Sequence, residues 1–264
     1  MPAVNPVRLR FQIEELMSFF SDPAAFHLRL KTLFELYANR ALRFGSETGI
    51  RPLIPMYRLP APVLRQLRID LSRLVPNDPA GAQALVDELW EDEYYEIKQT
   101  AIMILSLLPM DSPEPILDRH REWLGQDLDP MLISDIFSTG MHQLQEKFPA
   151  AWEDFINTFL QSRDPEKTAL GIRGLTEGLR NPKFQNLPAV FRLVSPFIRE
   201  PEPELIRDLV HIIEILAQRS PTETGFFLRQ TLSLSESPAT QRIIKQSLNF
   251  FPPDIQADLK AAQR

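Results

Sequence analysis

Twenty-four prolines in 264 residues decide where this chain can be helical. That is nearly twice the average usage of roughly 5%, and the prolines gather at joints: Pro60 and Pro62, Pro76 and Pro79, Pro113 and Pro115, Pro182, Pro201 and Pro203, Pro252 and Pro253. A proline lacks the backbone donor and clashes with the preceding turn, so it is tolerated at a helix start and rarely inside one. Between the joints apolar residues recur at helical spacing. Leu85, Leu89 and Trp90 form one stripe, Ile97, Ala101, Ile104 and Leu105 a second, and Leu205, Leu209, Ile212, Ile213 and Leu216 a third. No segment alternates over six residues and no Asn-Gly or Asp-Gly turn occurs, so strands are not expected. The fold class is all-α.

Segments opening near Pro62, Pro79, Pro113, Pro165, Pro203 and Pro221 predict helix pairs with a loose period. Loose pairing of this kind fits HEAT-like antiparallel helix-pair repeats stacked into a curved α-solenoid, since one repeat cannot bury its apolar face alone. An irregular helical bundle satisfies the same pattern. Only nine glycines occur and no Gly/Ser-rich linker divides the chain, so one domain over residues 1–264 is expected.

Composition excludes several functions. Hydrophobic residues make up 44% and charged residues 24%, which is ordinary for a globular protein. With no cysteine there is no disulfide, zinc ribbon or thiol nucleophile. His27, His120, His142 and His211 lie far apart, without His-x-x-x-His or Glu-x-x-His pairs, so no metal site and no cofactor are expected. Walker, dinucleotide and Gly-x-Ser-x-Gly motifs are missing. Met1–Arg10 is not followed by an apolar core like that of a signal peptide, and no run of about 18 apolar residues is present. A cytoplasmic protein without a membrane segment is the expectation.

The net charge of -6 speaks against a general nucleic-acid binder, yet the charge is unevenly spread. Residues 28–73 hold nine bases (Arg29, Lys31, Arg40, Arg43, Arg51, Arg58, Arg65, Arg68, Arg73) against three acids. Residues 77–96 hold seven acids and no base, and residues 163–199 hold seven bases against three acids. Such segments either line one positive face of the repeats or are solvated helices bearing both signs.

Local patterns then fall into an order: Arg43-Phe44-Gly45, Leu59-Pro60-Ala61-Pro62-Val63-Leu64-Arg65, Glu88-Leu89-Trp90, and Tyr95-Glu96-Ile97-Lys98 with Ala101 and Leu105. Further on come Ser162 through Thr168-Ala169, Ser220-Pro221 before Phe226-Phe227-Leu228, and Ser235 to Leu248 with Arg242 and Lys245. In this order, over roughly residues 28–260, the chain resembles the DNA alkylation repair family of AlkD-like HEAT-repeat glycosylases. The resemblance implies a positively charged concave surface that holds duplex DNA, and excision of N3- or N7-alkylated purines without base flipping. A cationic purine is already a good leaving group, so a carboxylate near the sugar is sufficient to stabilise the oxocarbenium ion.

Carried over position by position, the resemblance places the catalytic carboxylate at Asp135, in Ile133-Ser134-Asp135-Ile136. Met131 stands where the family has a tryptophan and Leu132 where it has an intervening acid. Lys167 stands at the phosphate-binding arginine, keeping the charge without the bidentate fork. His211 stands at the second tryptophan, with Arg207 one helical turn away. Arg163 and Arg173 complete the expected DNA-binding set. Each position also has a plainer reading: a cap or surface acid for Asp135, a semi-buried histidine for His211, a gap-filling methionine for Met131, and inter-repeat core for Trp90. Tyr94 and Tyr95, amid acids, read as helix surface with one ring buried. The implied partner is duplex DNA, bound through its backbone, and with both tryptophans replaced the expected excision through Asp135 is reduced or absent. The alternative, favoured by the net charge and the missing tryptophans, is a non-catalytic scaffold holding a protein or peptide in its concave groove.

Overall fold

The computed structural model describes residues 4–39, 54–235 and 237–262, and among them every regular element is helical. The helices are α1 (Pro6–Met17), α2 (Pro23–Tyr37), α3 (Ala61–Leu74), α4 (Pro79–Trp90), α5 (Tyr95–Leu105), α6 (Glu114–Leu124), α7 (Pro130–Asp135) and α8 (His142–Lys147). They continue as α9 (Pro149–Leu160), α10 (Pro165–Arg180), α11 (Leu187–Arg199), α12 (Ile206–Arg219), α13 (Pro221–Leu234), α14 (Pro238–Ser247) and α15 (Pro253–Ala262). Twelve of these carry proline in their first two positions, where the missing donor costs nothing. Asn5, Asp22, Asp78, Asp129, Asp164 and Asn186 cap neighbouring backbone amides just before such starts. The expected joints and the all-α class are what the structure shows. Residues of all three apolar stripes are buried.

The chain divides into two compact units, Met1–Met141 and His142–Arg264. Within each, helices two apart in sequence pack side by side. In the first unit α1 meets α3, α2 meets α4, α3 meets α5 and α5 meets α7. In the second, α9, α11, α13 and α15 pack in succession, and α10, α12 and α14 form the opposing layer. Two layers of alternate helices thus share a core in each unit.

Two aromatic seats organise these cores. Trp90 of α4 stacks on Trp123 of α6, with ring centroids 3.9 Å apart and planes 11° from parallel. Lys98 donates to the Trp90 carbonyl and lies over its ring. In the second unit Trp152 of α9 is fully buried against Phe184, 5.2 Å between centroids. A Cβ on Gly178 would lie 2.4 Å from its ring, so α10 approaches the indole only because that residue has no side chain. Arg219 of α12 closes the end of α10, donating to the carbonyls of Leu179 (2.7 Å), Asn181 (3.0 Å) and Phe184 (2.5 Å); Leu179 is in the last turn, where carbonyls lack an intrahelical partner.

The segment leading into α3 is tied down by α5. Tyr57 N–H and Arg58 N–H donate to the two oxygens of Glu96, at 2.8 and 2.6 Å. Tyr95 N–H donates to the Pro55 carbonyl at 2.9 Å. Arg58 adopts φ 57°, a left-handed conformation that a side chain bearing Cβ takes only when its surroundings impose it.

His120 of α6 lies wholly buried beside the Trp123 ring. Burial pushes its pKa down to about 4, with the Gly140 backbone offsetting only part of the effect. Below pH 6.5 the unfolded chain therefore takes up a proton there that the folded chain refuses. Stability is full above pH 6.5 and falls as the pH drops towards 4, by about 3 kcal/mol from this one group. Urea unfolding of wild type and His120→Gln at pH 7 and pH 4 checks this: the variant should lose distinctly less stability over that interval. An equal loss in both would mean other groups carry the acid sensitivity.

Candidate active site

Asp135 is the last residue of α7 and leads directly into one π-helical turn, Ile136–Gly140. In that turn the amide of Met141 reaches back to the carbonyl of Ile136, 3.0 Å away. Widened turns of this type are frequent at functional positions. Gly140 closes it against His120, where a Cβ would lie 2.7 Å from the imidazole Cε1.

The Asp135 side chain is partly buried and faces α5. Tyr95 Oη donates to Asp135 Oδ2 at 2.6 Å, and Gln99 Nε2 donates to the same oxygen at 3.0 Å. Gln99 Nε2 also reaches the tyrosine oxygen at 3.0 Å. Burial, reinforced by the adjacent Asp135 charge, raises the Tyr95 phenol above its ordinary value, so the hydroxyl stays a donor. The Asp135 side chain makes no capping bond to the turn that follows it, and Gln99 and Tyr95 belong to another helix, 36 and 40 residues away. Neither Tyr95 nor Gln99 stands out as a site residue in the sequence. The available signal is a pair of polar side chains four apart, on one face of a helix.

Met131 is partly buried, one turn before Asp135 on the same face of α7. The other expected residues belong to the second unit. Arg163 and Lys167 are exposed around the start of α10. Arg173 is exposed and paired with Asp208 of α12 through Nε at 3.2 Å. Arg207 is exposed on α12, one turn before His211. Arg180 donates to His211 Nε2 at 3.1 Å, and because guanidinium cannot accept, His211 carries its proton on Nδ1, facing Glu214 Oε2 at 3.1 Å. His211 is thus held between a cation and an acid.

These contacts bear on the basic segments. At about 100° per residue, Arg173 and Arg180 share a face of α10, whereas Lys167 lies about 120° round from Arg173. The cations of residues 163–199 are largely matched by acids: Arg180 with Glu177, Lys183 with Glu146 and Arg192 with Glu153, besides Arg173 with Asp208. In the first unit Lys31 is held by Asp92 and Arg73 by Asp70, while Arg65 and Arg68 project from α3 into solvent. Arg40, Arg43 and Arg51, with the Arg43-Phe44-Gly45 pattern, lie outside the described residues.

The acidic stretch at residues 77–96 is in part structural. Asp92 is buried and takes Lys31 Nζ at 2.8 Å and His27 Nε2 at 2.7 Å, while His27 Nδ1 meets Glu88 at 2.9 Å. Burial alone would raise the Asp92 carboxyl, but Lys31, the Tyr94 amide and His27 together hold it below the usual carboxylate range. The hydrogen bond to Asp92 correspondingly raises Lys31. Tyr94 and Tyr95 divide as expected, one partly exposed and one buried. No group of three or more His, Asp or Glu suited to a metal ion occurs among the described residues, and none of their helices is long and apolar enough to cross a membrane.

In the first unit, layered helices hold a partly buried carboxylate oriented by a phenol and an amide. A family model described as DNA alkylation repair enzyme matches residues 31–207, well over half of the chain, and the protein belongs to that family. No curated protein and no solved structure matches the chain significantly.

Proposed function

We propose that this protein binds duplex DNA and excises N3- or N7-alkylated purines, with Asp135 as the catalytic carboxylate. The observation that carries the reading is that Asp135, inside the family-matched segment, is a partly buried acid held in one orientation by Tyr95 and Gln99. In the reaction the C1′–N9 bond breaks, and its electron pair passes to the cationic purine, which leaves as a neutral base. The sugar is left as an oxocarbenium ion facing the carboxylate, and an oriented anion stabilises that charge without reorganising. Water adds to C1′ and releases its proton. No cofactor is needed. The layered helices are read as HEAT-like repeats, the unit from which a curved solenoid is built. Arg163, Lys167 and Arg207 of the second unit supply backbone contacts.

The test is base release from a duplex carrying N7-methylguanine. Asp135→Asn should slow it about 100-fold, the scale for removing one transition-state charge partner. Equal rates in wild type and variant would remove Asp135 from the chemistry. Charge reversal at Lys167 or Arg207 should weaken DNA binding across sequences and flatten its salt dependence; unchanged affinity would take these residues out of the interface.

A second reading, a protein- or peptide-binding scaffold, is favoured by the pairing of Arg173, Arg180, Lys183 and Arg192 with acids. Neutralised cations attract phosphate weakly. This reading predicts neither base release nor salt-sensitive DNA binding.

A further inference from the structure

Three side chains from two helices close a ring at Asp135. Tyr95 and Gln99 stand one turn apart on α5, and both direct a proton to the same carboxylate oxygen. The ring's third side is the amide of Gln99 donating to the tyrosine oxygen. With its oxygen occupied by that donor, the hydroxyl has its own proton available for Asp135. The tyrosine is 6% exposed, so a rotated Asp135 would strand a buried hydroxyl without an acceptor, a costly state.

Gln99 shows which way the arrangement is set. Its Oε1 is buried and has no hydrogen-bond partner. Turning the amide over would point that oxygen at a carboxylate, so it remains unbonded while Nε2 serves both Asp135 and Tyr95. A buried acceptor is normally paired; here its pairing is given up to keep two donors on one acid. Asp135, the acid at the centre of this ring, directly precedes the π-turn.

We infer that Tyr95 and Gln99 are the positioning residues of the active site, fixing the orientation of the Asp135 carboxylate; this assignment rests on the excision reading. Neither touches DNA in this role. Because two donors favour the charged form, their removal makes the carboxylate easier to protonate and freer to turn. A phenol held protonated by its buried setting supplies the stronger of the two bonds.

The experiment compares wild type, Tyr95→Phe and Gln99→Met in two readouts on the full-length protein. Tyr95→Phe keeps the ring that packs α5, and Gln99→Met is the second variant should the first fold poorly. In single-turnover release from N7-methylguanine duplex, each variant should react about 10- to 100-fold more slowly, the usual loss when a reacting group loses its orienting partner. DNA affinity should be unchanged and the acid limb of the pH–rate profile should move to higher pH. The second readout is the 13C carboxyl titration of Asp135, assigned by difference from Asp135→Asn, whose midpoint should also move to higher pH in both variants. Wild-type rates in both variants would overturn the assignment. If wild type itself releases no base, the excision reading falls, and the titration decides alone: a displaced midpoint upholds the positioning and an unmoved one ends it.

Discussion

Glu96→Ala should cost the folded chain about 3–5 kcal/mol, because it removes the charged acceptor of two backbone amides. Glu96 is 2% exposed and accepts from Tyr57 N–H and Arg58 N–H with separate oxygens. A buried donor without a partner costs about 1–3 kcal/mol, and a bond to a charged acceptor is at the strong end. The segment held by this tether includes Arg58, whose left-handed backbone is unfavourable by roughly 1–2 kcal/mol. The Tyr57 ring, stacked on Tyr94 at 4.4 Å and edge-on to Phe34, would lose its register with them. Glu96→Gln should lose about half as much, since its carbonyl still serves one amide while its NH2 faces the other. Urea midpoints for the three proteins, with amide exchange at Tyr57 and Arg58, provide the check. Midpoints within error of one another would show that the two amides find other acceptors once the carboxylate is gone.

Trp152→Ala should cost a similar amount in the second unit, about 3–5 kcal/mol. The indole is 1% exposed and fills the space between α9, Phe184 and the bare backbone of Gly178. Alanine removes its buried contacts and leaves a cavity that the surrounding helices close only in part. Gln145 makes closure harder, because it bridges α8 to the end of α10 by donating to the Gly178 carbonyl at 3.0 Å while accepting from Asn181 at 2.7 Å. A specific control follows. Gly178→Leu alone should destabilise by overpacking the indole, whereas in the Trp152→Ala background the same leucine should recover part of the loss. Urea unfolding of the four proteins reads the cycle; additive losses would show that the two positions do not share this cavity.

The elements were legible in the sequence because their causes are local. Proline at a helix start and a stripe at 3.6-residue spacing act within one turn of chain, and Leu209, Ile212, Ile213 and Leu216 face the core as the stripe requires. The family resemblance was legible too, as an order of patterns, and the matched segment lies within it. What stayed hidden depends on chain far away. Glu96 reads as one more acid in an acidic run until residues 38 and 39 earlier supply its amides. The charge excess of residues 163–199 reads as a basic patch until Asp208, Glu146 and Glu153 arrive from other helices. The π-turn leaves no mark at all, since Ile136–Gly140 is an ordinary helical string until Gly140 meets His120.

The stacked pair Trp90 and Trp123 gives the molecule a built-in optical label. Two indoles 3.9 Å apart and nearly parallel couple their excited states, so their near-ultraviolet circular dichroism differs from that of two separate rings and disappears when α4 and α6 part. Trp152 is the third tryptophan of the chain and belongs to the other unit. Its emission responds to the packing around α9, while the coupled band responds to α4 and α6. One unmodified sample can therefore be followed at two places by light alone, with neither dye nor added cysteine.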